Sequence, residues 1–227
     1  MKCVRALVVV IGLLLSWQRV EAQDLTRYRS YALESSLESI LAVSAGRAAN
    51  VTTLHERPAV VRELEWRAPY VTSESARPDP VEAITFGFLD DALYQMVVTY
   101  SADRTSGLTN NDLIASLSGA YGTPARKSPA RAVVVPKAVS YDSIVIAQWD
   151  SATSSLMLFR GAYSKEYQLV LLSKALSARA STAIRAAIRL DAAEAPRREL
   201  EQRTKDAADE TAARDKARTD NKAAFRP

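Results

Sequence analysis

The sequence predicts an α+β fold: two helix-plus-antiparallel-sheet modules followed by a long C-terminal charged helix. Three observations lead there. Helix signals give way to strand signals twice, over residues 35–100 and again over 109–173. The strand segments are short, alternate apolar with polar residues and are bounded by turn formers, the pattern of antiparallel sheet. From residue 173 onward the chain turns alanine-rich with helical spacing and stays so almost to its end. A short helix and a sheet each have one apolar side to bury, so the expected packing is helix on sheet. The repetition is one of pattern, because identity between the halves is slight.

Taken in order, the N-terminus comes first. Lys2 and Arg5 precede the apolar stretch ALVVVIGLLLSW at 6–17, and Val20-Glu21-Ala22 follows with residues that a signal peptidase reads. This predicts a secretory signal peptide over 1–22, cleaved after Ala22. The apolar stretch has 12 residues, short of the roughly 20 that a spanning helix needs. An uncleaved signal anchor is the competing reading. Cys3, the single cysteine, lies inside this segment. A mature chain of about 200 residues would then be held by its core alone. It would also have no thiol chemistry. The expected location is the periplasm or the extracellular medium.

The first module, 23–105, starts with a lead-in, YRSYAL, followed by SSLESILAVSA at 35–45. Ser35 and Glu38 have capping-box spacing, Leu37, Ile40 and Leu41 share a face, and Gly46 is the expected stop. VTTLHER and AVVRELEW read as strands around Pro58. Residues 70–80 read as a loop. VEAITFGF places Ile84, Phe86 and Phe88 on one face, Asp90-Asp91 makes a tight turn, and ALYQMVVTYS returns as the second strand of a hairpin.

The second module, 106–173, opens with a helix in TNNDLIASLSGAYGTP at 109–124. Thr109 is its predicted N-cap, Asp112 suits the first turn, and Gly122 and Pro124 end it. A basic loop, 125–142, carries Arg126, Lys127, Arg131 and Lys137. SIVIAQWD, SSLMLFRG and EYQLVLLS then predict a three-stranded meander. A docking helix is expected over 174–195, with Leu176, Ala180, Ala183, Ile184, Ala187 and Ile188 as its apolar stripe. Pro196 should interrupt or restart it.

Residues 196–227 read as a solvated, helical or partly disordered tail. Between 191 and 227 there are nine basic and nine acidic side chains. A nucleic-acid arm or a polybasic membrane anchor needs an excess of positive charge, so neither is expected. The charges are interleaved at i,i+4 with the acid first in Glu199–Arg203, Glu201–Lys205 and Glu210–Arg214, which supports an isolated helix. Large apolar residues at coiled-coil spacing are missing. Phe225 is the one large apolar side chain near the end and a candidate anchor.

Candidate chemistry is sparse. His55 is the only histidine, and no G-x-S-x-G elbow, P-loop or G-x-G-x-x-G is present. One histidine and a single cysteine make no zinc constellation. Asp90 and Asp91 are assigned to the turn, and Glu63 and Glu65, flanked by Arg62 and Arg67, to solvent pairing. Trp66 and Trp149 end strands in comparable places of the two halves; packing is the default for both, and a contact or ligand platform the alternative. Asn50-Val51-Thr52 fits a glycosylation sequon, relevant only in a eukaryotic host. No catalytic, cofactor-binding or metal-binding residues are expected.

The second half, with its short helix, Tyr121-Gly122-Thr123-Pro124, a loop, Trp149 and a hairpin, resembles the SmpA/BamE-like helix-plus-hairpin modules of bacterial envelope proteins. That family's helix often ends in Leu-Gly-x-Pro, where this chain has Tyr121 for the leucine; the first half follows the plan more faintly. The resemblance implies a non-enzymatic module that binds proteins. The functional expectation is therefore an exported, non-enzymatic protein whose partner is another envelope protein, with no nucleic acid and no transmembrane span in the mature chain. The alternatives are a periplasmic binder of a small ligand or glycan, with its cavity near Trp66 or Trp149, and a hydrolase using carboxylates or His55.

Overall fold

A computed structural model of the chain describes residues 24–44, 50–69, 79–126, 139, 142–164, 166–224 and 226. The predicted signal segment, most of the two long loops and Phe225 lie outside them. The fold is α+β. A two-stranded hairpin, β1 (Arg27–Tyr28) and β2 (Tyr31–Ala32), leads into helix α1 (Leu37–Ser44). Strands β3 (Val51–His55), β4 (Val61–Arg67), β5 (Val81–Leu89) and β6 (Ala92–Tyr100) follow as an antiparallel meander. After a one-turn helix, α2 (Ala102–Thr105), come α3 (Asn110–Tyr121) and a second meander, β7 (Ser143–Asp150), β8 (Ser154–Gly161) and β9 (Tyr167–Ser173). Helix α4 (Lys174–Ala224) closes the chain.

Each half thus contributes a helix and a meander, and the meanders join. β6 pairs antiparallel with β9, Gln95–Thr99 against Leu172–Gln168, giving a seven-stranded sheet in the order β3-β4-β5-β6-β9-β8-β7. Nothing local signals this joint. Met96, Val97 and Val98 in β6, and Leu169, Val170 and Leu171 in β9, are all buried, so both strands are apolar on both faces, as central strands are. The main core cluster draws on both halves. Phe86, Phe88, Leu93 and Met96 meet Leu156, Leu158 and Leu169 under Ile40 of α1 and Leu113 and Ile114 of α3. Burying side chains of this size stabilises the fold by about 1.5–3 kcal/mol each.

The hairpin turn has more roles than the sequence disclosed. Leu89 pairs with Ala92, leaving Asp90 and Asp91 as a two-residue turn with φ of 46° and 72°. Positive φ at both positions is the type I′ geometry that aspartate tolerates. Each carboxylate also ties down a neighbour: Asp90 Oδ1 accepts from the Val60 N–H at 3.0 Å, and Asp91 Oδ1 from the Leu37 N–H, the first of α1, at 3.3 Å.

The cap of α1 is displaced by one residue from the expected Ser35–Glu38 pair. The Ser39 N–H donates to Ser36 Oγ at 3.2 Å. Ser35 is still engaged with β6, its carbonyl accepting from the Leu93 N–H at 2.9 Å, and Ser36 bridges Ala92. The helix begins only once that pairing ends. In α3 the expected cap holds and closes into a full box: the Asp112 N–H donates to Thr109 Oγ1 and the Thr109 N–H to Asp112 Oδ2. Gly122, at φ 72°, stops the helix as expected.

Candidate functional site: a mounted helical arm

Helix α4 starts without a linker. Lys174 follows the last residue of β9, and its N–H donates to the Thr153 carbonyl at 2.8 Å. Its Nζ donates to the Ser151 carbonyl at 2.7 Å and lies 3.2 Å from Asp150. Beyond this root, Leu176, Ala180, Ala183 and Ile184 face Val61, Leu89 and Tyr94 on the side of the sheet opposite the main core. Ala180 is 1% exposed and Ala187 3%. Small side chains at these positions let the helix axis approach the sheet. The predicted stripe ends at Ala187, because Ile188 is 56% exposed.

Polar ties flank the apolar seat. Arg179 lies 3.9 Å from Asp90 of the hairpin turn. Further along, Arg57, in the β3–β4 turn, makes a two-pronged bond to Glu194, Nη1 to Oε1 at 3.1 Å and Nη2 to Oε2 at 2.8 Å. The Arg57 guanidinium holds the Glu194 carboxyl below its usual range. Among the described residues this pair is the most distal link between helix and body. The twenty-one residues from Lys174 to Glu194 span about 30 Å at about 1.5 Å per residue.

The expected break at Pro196 does not occur; the helix runs through it. Proline removes the N–H that would bond to the carbonyl four residues earlier and crowds that turn. Here the loosened turn is bridged. Arg198 Nη2 donates to the Asp191 carbonyl at 3.2 Å and to Asp191 Oδ1 at 3.1 Å, across the proline. With Glu194 anchored just before it, the turn is held on both sides.

From Pro196 to Ala223 every residue is exposed. This arm is about 40 Å long. Arg197 pairs with Glu201 at 2.8 Å, Arg203 with Glu199 at 3.9 Å and Arg214 with Glu210 at 2.8 Å. Two of the three predicted pairs therefore form, while Glu201 turns to Arg197 rather than Lys205. Leu200, 66% exposed, is the arm's large apolar residue among those described. Among the described residues no helix is long and apolar enough to cross a membrane.

The other predicted site residues lie apart from the arm. Trp149 is 1% exposed, and its Nε1–H donates to the Gly122 carbonyl at 2.6 Å. It locks the end of α3 to β7 and offers a partner no surface. Trp66 is half-buried against the same core cluster. His55 lies half-buried in β3, and Glu65 pairs with Arg67 at 2.6 Å. Among the described residues no three His, Cys, Asp or Glu side chains gather where a metal could be held. Arg126 is described and bridges Gln148 at the edge of β7, while Lys127, Arg131 and Lys137 lie outside the described residues.

Comparison with known families, curated proteins and solved structures returned no match. The arm is the longest continuously exposed stretch among the described residues. It could meet another macromolecule along its length. Its near-balanced charge, eight basic and seven acidic side chains over 196–223, gives little field for polyanions. The sequence had signalled the arm through its alanine content and i,i+4 pairs; the mount, which depends on Arg57 and Asp90 from two turns and Tyr94 from β6, had no local signal.

Proposed function

We propose that the protein is exported and works without catalysis, by contact with another protein of the cell envelope, with the α4 arm as its contact surface and the α+β body as its mount. One observation carries this reading: residues 174–194 are fixed to the body by an apolar seat and several polar ties, while 196–223 are fully exposed on the same continuous helix. With every residue from 196 to 223 exposed, the arm adds no core to the fold, so its length is accounted for by what it reaches. Interleaved charges, eight basic and seven acidic over 196–223, favour a protein surface of mixed charge over nucleic acid or anionic lipid. The signal-peptide pattern of residues 1–22 supports export, and the likeness of the second half to SmpA/BamE-like modules supports an envelope setting.

Photo-crosslinking in cells tests the proposal. A crosslinking residue placed at Ala208 or Ala212 should give a discrete adduct with a second protein, and the same residue at exposed Tyr163 of the body should not. Absence of an adduct from both arm positions, or adducts only between copies of this chain, would overturn it.

A further inference from the structure

A cleft of about 530 Å³ lies between residues 102–108, which hold α2 and the turn after it, and the end of β8 with the start of β9. The volume is within the roughly 300–1,000 Å³ of small-molecule sites. Its lining shares no residue with the arm or with the arm's seat on the sheet. Among the described residues that line it, two carry charge, Asp103 of α2 and Arg160 of β8. They are of opposite sign and border the same space, yet they form no ion pair with each other.

Arg160 is held in place without being neutralised. Its Nη1 donates to Asn110 Oδ1 at 3.1 Å, and the Tyr167 hydroxyl donates to the same oxygen at 3.0 Å. The guanidinium carbon lies 5.4 Å from the centroid of the Tyr167 ring, itself 2% exposed. An amide oxygen and a ring face orient the guanidinium, but neither carries a net charge to cancel its own. Elsewhere in the body Arg29 is closed by both oxygens of Asp79, and Arg57 by both oxygens of Glu194. Arg160 is half-buried and has no carboxylate at ion-pair distance. A guanidinium has five N–H donors, so with one of them engaged it keeps an edge for an occupant. Asp103 is its counterpart: exposed, with no hydrogen bond or ion pair to its carboxylate.

We infer that this cleft binds a small zwitterion in which a short chain joins an ammonium to a carboxylate, the chemistry shared by free amino acids and short peptides. The carboxylate accepts from the open N–H groups of Arg160, in a charge-assisted bond about twice as strong as a neutral one. The ammonium donates to Asp103. A plain anion would gain Arg160 and meet the like charge of Asp103, and a plain cation would meet the reverse. Only an occupant with both charges satisfies both walls. The site uses no residue of the arm, so it stands or falls separately from the contact proposed above.

Calorimetric titration of the purified protein with glycine, diglycine and triglycine provides the test, since the series varies the distance between the two charges. The best of the three should bind saturably. It should bind about tenfold or more tightly than its N-acetylated form, which lacks the ammonium, and than its amide, which lacks the carboxylate. A preference for glycine identifies a free amino acid as the occupant, and a preference for the longer two a peptide. Asp103→Asn, at an exposed position, should weaken the preferred zwitterion about tenfold or more and abolish its advantage over the acetylated form. Arg160→Gln should weaken it as much and abolish its advantage over the amide. Circular dichroism confirms that each variant is folded. No saturable binding of any of the three, a blocked form as tight as its zwitterion, or wild-type affinity in either folded variant would overturn the assignment.

Discussion

Removing the arm should leave the body as stable as before. The perturbation is a stop codon after Ala195, which keeps the Arg57–Glu194 link and deletes what lies beyond. The residues described from 196 onward through 223 are all exposed, so their deletion uncovers no core. At about 25 cal/mol per Å² of apolar burial, the expected loss from the body is close to zero. The three i,i+4 ion pairs of the arm each contribute about 0.2–0.5 kcal/mol, but to the arm's own helicity, since both partners lie beyond residue 195. A domain of this size shifts its Tm by about 2–4 °C per kcal/mol, so thermal unfolding followed by tryptophan fluorescence should move by less than about 2 °C. The far-ultraviolet helical signal should fall at the same time. Ala180→Asp is the contrasting variant. It places a charge on a residue 1% exposed against Val61, Leu89 and Tyr94, and should cost about 3 kcal/mol or more. A truncation that lowered Tm by more than about 4 °C would show the arm packing on the body and would refute the division into mount and arm.

Other perturbations probe the body. Trp149→Phe leaves the Gly122 carbonyl without its donor, and a buried unpaired acceptor costs about 1–3 kcal/mol, readable by urea denaturation; an unchanged midpoint would contradict the lock between α3 and β7. Asp91→Ala both forces alanine to φ 72° and removes the acceptor at Leu37, for a loss of about 2 kcal/mol. Asp91→Gly removes only the acceptor and should cost less, and equal losses would mean that the backbone conformation is not the cause. Burial pushes the Tyr94 and Tyr121 phenols up to about 12 and Tyr100 well above its ordinary value. An unfolded tyrosine ionises near 10, so the native state binds more protons between those values. Stability should be intact below about pH 10 and decline as pH rises through about 12. Ultraviolet titration of phenolate against fluorescence of the fold checks this, and ionisation of all nine tyrosines near pH 10 in a folded protein would be inconsistent with it.

What could be read from the sequence was what neighbours in the chain decide. Thr109, Asp112 and Gly122 define α3 by local hydrogen bonds and one backbone angle, and each was legible. So were the β5–β6 hairpin and the β7–β9 meander, because alternation and turn residues act over a few positions. The β6–β9 joint was not legible, since two strands apolar on both faces could each pair with any other. Ser36 replaced Ser35 as a cap through pairing with β6, far away in sequence. Pro196 stayed inside the helix through Arg198 and Asp191, whose bond forms only once the helix exists. The cleft beside α2 gathers Asp103, Arg160 and Tyr167 from three elements, and none of the three reads as a site on its own.

Whether α4 beyond Pro196 is a rod or a tether is a matter of distance. As a helix, residues 195–223 separate their ends by about 40 Å at about 1.5 Å per residue. As a flexible coil the same stretch would have a root-mean-square span of about 30 Å, from about 5–6 Å times the square root of its length. The coil's distribution would also be broad. Cys3 is the chain's only cysteine, so Ala195→Cys with Ala223→Cys in a Cys3→Ser background permits selective spin labelling. Dipolar spectroscopy should give a narrow distribution near 40 Å. A second pair, Ala195→Cys with Thr204→Cys, tests the proline turn separately and should be equally narrow because Arg198 bridges it. A rod would carry its contact surface at a fixed height and direction, since α4 leaves β9 without a linker and is tied again at Glu194. A broad distribution centred near 30 Å would make the segment a tether, whose partner could be met in any orientation, and the mounted arm would lose its reason to be mounted.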